Sequence, residues 1–319
     1  MPTTGEKIYG LVAEMADGLG FADYGCAQAC PVPSAIRSYY LNSLDKGHLA
    51  GLGYLHRNIE KRFNPQLLVP GAKSVLVFLA PYSLPADMQP PEGIAQYALG
   101  KDYHIVIKEK LFAIMEMLKR ECQSFQGRAF TDSAPVMERE WGVQAGLGWI
   151  GKNNFLISRR CGIKNLIGTI ICNLELPATM DFEPQKAKAN LGSCGECNRC
   201  LEACPTGALK GEFTTDIRKC ISYHTIENRD LAAAIAAGEV PPFKGRYFGC
   251  DSCMDACPWN SRNITGWGEF HSNYSILSGK GKGWWKGLDK ENFETIFKDS
   301  PILRGGLENI RISVDWGEE

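Results

Sequence analysis

The chain has 319 residues, 44% hydrophobic and 22% charged, with a formal net charge of -1. That length supports one large domain with an appended module, or two domains, and the near-zero charge excludes bulk attraction to nucleic acid, leaving only a local basic face for that purpose. No apolar run approaches the roughly 20 residues of a membrane span, and the opening MPTTGEKIYGLVAEMADGLG carries acidic residues inside its apolar stretch, so a cytoplasmic protein without a secretory leader is expected.

Ile8, Leu11, Val12, Met15 and Leu19 recur on one face and predict a helix over 5–20. The run 74–80 (SVLVFLA), ended by Pro81, predicts a buried strand, and the proline-rich 83–97 a loop. Residues 104–120 (HIVIKEKLFAIMEMLKR) predict an amphipathic helix, and 128–131 a short strand. Pro135 suits the first turn of a helix capped by Asp132 or Ser133, with Glu138 in that turn and a stop near Gly146. A second buried strand is expected over 166–174 (LIGTIICNL). Helices alternating with apolar strands to about residue 180 indicate an α/β or α+β domain. The polar stretch 181–193 reads as a linker, and the tail 261–319, rich in Gly and Trp, has weak periodicity.

Thirteen cysteines in a reducing compartment argue for metal ligation over disulfides. Cys194, Cys197, Cys200 and Cys204-Pro205 form the C-x2-C-x2-C-x3-C-P run of bacterial ferredoxins, in which a tight loop turns three thiolates onto one cube and carries the fourth to the other. Cys250, Cys253 and Cys257-Pro258 form a second run that lacks one member, and Cys220 lies between the two. The eight thiols suffice for two [4Fe–4S] clusters. By the crossed logic one is held by Cys194, Cys197, Cys200 and Cys257, the other by Cys204, Cys220, Cys250 and Cys253. A zinc site, which favours paired CxxC motifs around one ion, fits the two C-x3-C-P ends poorly. Cys26, Cys30, Cys122, Cys161 and Cys172 read as free thiols in or near the core.

Gly146, Gly148 and Gly151 match G-x-G-x-x-G, but a helix precedes them where a dinucleotide site needs a strand. The loop reads either as a glycine-rich helix exit or as backbone that approaches a flat cofactor, with Lys152 and Asn153 as donors. Asp132 reads either as a helix cap or as a proton donor, a role that needs a closed pocket to raise its pKa. His104 and His224 read as structural histidines. In 279–287 (GKGKGWWKG), Lys280, Lys282 and Lys286 interleave with Trp284 and Trp285, which suits either RNA contacts or a loop beside a core tryptophan pair.

Six segments carry a closer likeness: 97–104 (YALGKDYH), 132–139 (DSAPVMER), 145–153 (AGLGWIGKN), 220–223 (CISY), 248–251 (FGCD) and 257–260 (CPWN). In order and spacing over residues 50–265 the chain resembles the epoxyqueuosine reductase family, cobalamin-dependent enzymes of queuosine synthesis in tRNA. The tail matches weakly, through 300–304 (SPILR), and the helical-repeat extension of some members is not apparent. The resemblance implies an α+β fold, with an α/β cobalamin-binding catalytic domain over 1–190, a ferredoxin-like module over 191–265 and a tail over 266–319 packing on the core. It implies base-off cobalamin reduced to Co(I) by the two clusters, with Asp132 as proton donor. Arg57, Tyr97, Asp132, Lys152, Asn153, Leu156, Ile167, Ser222 and Gly249 are the implied cofactor contacts. Asp102-Tyr-His104 opens the D-x-H-x-x-G signature of proteins that give cobalt a histidine, but no glycine completes it.

The implied partners are a tRNA anticodon stem-loop carrying epoxyqueuosine and an external electron donor, with no membrane and a monomeric chain. Lys210, Lys244, Arg246 and the lysines of 280–286 are candidates for a cationic rim. The competing reading is a ferredoxin-type electron carrier fused to a flavin-binding domain. A reductive dehalogenase, which shares both cofactors, usually opens with a twin-arginine export signal that is not seen here.

Overall fold

The computed structural model describes residues 3–180, 192–211 and 213–316. The expected linker over 181–193 falls almost wholly outside them. Four strands form an antiparallel sheet in the order β1-β2-β6-β3: β1 (Asp23–Gln28), β2 (Ser74–Pro81), β6 (Asn165–Cys172) and β3 (Gly127–Phe130). All-antiparallel pairing makes the domain α+β. Every residue of β2 is buried. Strand period two explains this, because Leu76, Phe78 and Ala80 enter one core while Val75, Val77 and Leu79 enter another on the opposite face.

The first face is covered by α1 (Thr4–Gly18) and α4 (Tyr103–Glu121), close to the expected helices. A capping box at Thr3 and Glu6 starts α1. α4 lies unusually near the sheet at Gly168, where a Cβ would come within 2.7 Å of Ile107 and 3.1 Å of Leu111. That approach fixes the N-terminus of α4 beside the end of β3. The second face carries α5 (Glu138–Gln144), with Trp141 fully buried. α5 begins three residues after Pro135, and Asp132 does not cap it; residues 132–137 form a turn instead. Two further helices, α2 (Ser34–Asp45) and α3 (Ile59–Phe63), lie in a stretch with weak apolar periodicity.

The glycine-rich loop exits α5 through Gly146 at φ +81 and enters a small hairpin, β4 (Trp149–Ile150) with β5 (Leu156–Ile157). A Cβ at Gly148 would stand 2.0 Å from the Ile157 carbonyl oxygen, so that glycine serves backbone packing. No dinucleotide-type strand–turn–helix is present here.

The tail folds into five short helices, Tyr274–Leu277, Lys282–Gly287, Lys290–Ile296, Ile302–Gly305 and Leu307–Trp316. They share a core with Ile94, Leu99, Tyr247 and Phe248, centred on Trp285 and Phe297. Trp285 is fully buried, its ring stacked 5.7 Å from Phe297, and Trp284 packs edge-on at 4.8 Å. Trp285 is therefore a core residue, with the half-buried Trp284 packed against it.

Candidate active site

Two chain segments meet at one cleft. Asp102 caps α4, and its Oδ1 accepts from the His104 backbone N–H at 2.9 Å and from the His104 ring Nδ1 at 2.7 Å. Burial alone would raise the Asp102 carboxyl, but these bonds from His104 outweigh it and hold the group below the usual range. From the other side, Thr131 Oγ1 donates to the Ile167 carbonyl at 2.8 Å and pins the end of β3 to β6. The chain then turns through Asp132 at φ +54, a left-handed conformation uncommon outside glycine and often seen where function demands it.

The Asp132 backbone N–H donates to Glu138 Oε1 at 2.8 Å. Its carboxylate Oδ2 accepts from the Tyr103 hydroxyl and lies 3.7 Å from His104 Nε2. The Tyr103 and His104 rings stack at 4.1 Å. Burial first, and the neighbouring Asp132 charge second, push Glu138 up to about 8 and raise Tyr103 well above the ordinary phenol range. The Asp132 side chain itself is 60% exposed, so the protein alone leaves the donor candidate open on the cleft side.

The cleft has a volume of about 300 Å³. Leu52, Tyr97, Ile217, Ile226 and Pro301 give it apolar surface, and Asp102, Tyr103, His104 and Asp132 a polar wall. Glu227 and Arg304, paired at 2.7 Å, contribute the remaining charge. Cys220, Ser222 and Tyr223 bring the cysteine module to the same space.

The eight cysteines fall into two groups. Burial raises the Cys257 and Cys200 thiols, and both sense Cys194 and Cys197 as near charges. Burial likewise raises Cys220 and Cys253, which sense Cys250 and Cys204. Each C-x3-C-P run thus sends its last cysteine to the other run's neighbourhood. Met254, Trp149, Ile157 and Ile163 pack beside Cys194, Cys253 and Cys257, so apolar side chains flank the thiols.

Residues 62–133 match the family model described as epoxyqueuosine reductase QueG, DUF1730, and residues 193–260 match the 4Fe-4S double cluster binding domain. An epoxyqueuosine reductase of Cyclobacterium marinum is 36% identical over 98% of this chain and 98% of its own length. This chain belongs to the epoxyqueuosine reductase family. That of Pseudomonas aeruginosa is also 36% identical, over 83% of this chain and 73% of its own. Among solved structures, a selenomethionine-labelled epoxyqueuosine reductase aligns with a TM-score of 0.83 at 24% identity, covering 97% of this chain and 81% of that one. One holding an epoxyqueuosine-modified tRNA-Tyr stem loop aligns at 0.81 and 24%, with the same coverage. As a family member the chain is an oxidoreductase with a two-[4Fe–4S] module.

Of the residues singled out from the family likeness, Tyr97, Asp132 and Ser222 line the cleft. Lys152 and Asn153 turn toward the cysteine module, donating to Asn198 Oδ1 at 2.8 Å and to the Cys253 carbonyl at 3.3 Å. Leu156 and Ile167 contribute to the core behind the sheet, Gly249 holds φ +75 against Ala95, and Arg57 is exposed. His224 is structural as expected, with Nε2 2.7 Å from the Arg218 carbonyl. His104 lines the cleft, with its Nε2 3.7 Å from Asp132 Oδ2. Cys26, Cys161 and Cys172 are buried, and burial pushes Cys26 up to about 12, whereas Cys30 is exposed instead of lying near the core. Among the described residues no helix is long and apolar enough to cross a membrane. Sequence reasoning missed His104, Tyr103, Glu227 and Arg304 as cleft residues. An aspartate two residues before a histidine at a helix start was the available signal for the first.

Proposed function

We propose that this chain reduces the epoxide of epoxyqueuosine in tRNA to the alkene of queuosine, with Asp132 as proton donor, base-off cobalamin in the cleft and two [4Fe–4S] clusters as the electron path. The observation that carries the reading is that one cleft is lined by both Asp132 and Cys220. A proton source and a thiol of one quartet therefore border the same space. The overall change takes up two electrons and two protons and releases water, the electrons entering from an external one-electron carrier.

The residues present suit both cofactors. In this reading each quartet would supply the four thiols of one cube, in keeping with the thiols that each cysteine senses nearby. The cleft offers a flat group apolar surface from Leu52, Tyr97, Ile217 and Ile226 and polar anchors at Ser222 and Arg304. Bound there, cobalamin supplies a low-valent cobalt nucleophile for attack on carbon. The protein's part is to hold the nucleoside against Asp132, deliver a proton to the departing oxygen and exclude water. Tyr103 and the Asp132 backbone bond to Glu138 hold the donor loop in place.

In this reading residues 1–190 form the catalytic domain, 191–265 the cluster module and 266–319 a packing tail, in a monomer. RNA is held by a local cationic rim that includes the exposed Lys210 and Lys244. Its affinity is therefore expected to fall as salt rises. The decisive experiment is anaerobic reconstitution with iron, sulfide and cobalamin, followed by turnover on an epoxyqueuosine stem-loop. Asp132→Asn is expected to keep both cofactor spectra and lose turnover by roughly 10²- to 10⁴-fold. Full turnover by that variant refutes the donor role, and tight flavin uptake without cobalamin favours the electron carrier instead.

A further inference from the structure

Reduction of an epoxide to an alkene and water takes two protons at one oxygen, and a single carboxylic acid holds one. Resting on the function proposed above, we propose that His104, oriented by Asp102, is the proton-relay residue that recharges Asp132. The geometry has three parts. Asp102 Oδ1 sits 2.7 Å from His104 Nδ1, which keeps one ring proton on Nδ1 and leaves Nε2 as the nitrogen that gains and gives up the second. His104 Nε2 faces Asp132 Oδ2 across 3.7 Å. The His104 side chain is 21% exposed on the cleft, so its ring reaches both solvent and Asp132.

A purely structural reading of Asp102 as a helix cap explains its bond to the His104 backbone but not the alignment of the ring on Asp132. The ring is held face to face on Tyr103, whose hydroxyl bonds the same Asp132 oxygen. Tyr103 has its phenol pushed up by burial and by Asp132, so it holds its own proton and acts as a clamp. The other charged groups lining the cleft are Glu227 and Arg304, which pair with each other. Lys108, on the same helix as His104, is engaged with Ser133 Oγ at 3.3 Å.

The transfer balances simply. After Asp132 yields its proton to the substrate oxygen, the Nε2–H bond of the His104 imidazolium breaks and the Asp132 Oδ2–H bond forms. The ring, now neutral with its proton on Nδ1, regains a proton at Nε2 from solvent hydronium relayed through cleft water, which is left as neutral water. Neither residue gains or loses electrons.

Two measurements test this. In full-length, cluster-loaded protein labelled with ¹⁵N-histidine, the His104 signals are identified by their loss in His104→Gln. Asp132→Asn should shift the Nε2 signal and Asp102→Asn the Nδ1 signal. An Nε2 signal indifferent to Asp132→Asn overturns the relay, whatever the enzyme's substrate. In turnover on epoxyqueuosine stem-loop, His104→Ala should lower kcat on the order of 10²-fold, leave KM for the RNA unchanged and recover with added imidazole. Asp102→Asn keeps the helix cap and should lower kcat likewise without lowering Tm. Wild-type speed in His104→Ala, or a loss that imidazole does not relieve, overturns the relay alone. A fully loaded wild-type enzyme that fails to turn over overturns the reaction itself, and with it the need for a relay.

Discussion

The cleft has two chemically different sides, and they are built in different ways. On the cysteine side Cys220 is the one of the eight thiols that lines the cleft, and the seven behind it come from two short runs whose spacing is set by covalent geometry. The side of Asp102, His104 and Asp132 joins a helix start to a post-strand turn some thirty residues later. Its alignment depends on β3 pairing with β6 and on Gly168 letting α4 close on the sheet. Local spacing thus gathers most of the thiols, whereas the alignment of Asp102, His104 and Asp132 needs the whole sheet.

The contrast breaks most visibly at Cys220, the one thiol outside both runs. Cys220→Ser is expected to lose roughly half the bound iron, one cube of two, and to abolish turnover. Iron analysis and cluster spectra check this, and an unchanged iron content would remove Cys220 from the ligand set. Cys30→Ser, at an exposed site, is expected to change neither.

The tail core is tested next. Trp285→Ala empties a fully buried site and should cost about 3–5 kcal/mol in urea unfolding. Gly168→Val should cost less, about 1–3 kcal/mol, because Ile107 and Leu111 must give way. If the proton side depends on that approach, turnover should fall more in Gly168→Val than stability does, with iron content unchanged.

The smallest effect concerns Glu138. Its carboxyl is raised from 4.5 to about 8 in the fold, so the folded state holds this proton more tightly than the unfolded chain. Its contribution to stability is fully present below pH 4.5 and is lost as pH rises through about 8. Glu138→Gln keeps an acceptor for the Asp132 N–H and should flatten that decline. Urea midpoints across this range check it, and a slope identical to wild type would place the raised carboxyl elsewhere.

Several elements were legible in advance. The strand over 74–81 is a continuous apolar run because both of its faces are covered, and α1 and α4 announce themselves by period. β1 (DYGCAQ) was not legible, since it is an edge strand with few apolar residues and gains its place only by pairing with β2. Asp132 as a cap was a misreading of local turn chemistry: the helix starts later, and the backbone instead turns left-handed to aim the carboxylate at Tyr103 and His104. The lysine and tryptophan stretch read either as RNA contacts or as a loop beside a core tryptophan pair; Trp285 belongs to the tail core and Lys286 pairs with Asp315 at 2.6 Å.

By itself the sequence determined that this chain carries two cysteine runs spaced for iron–sulfur clusters and a fully buried strand over 74–80, because both are written in spacing and apolar pattern. Only the tertiary structure decided that Cys220 and Asp132 share a cleft and that His104 looks at Asp132. Those distances arise from strand pairing and helix–sheet packing between segments far apart in the chain, and no local pattern encodes them.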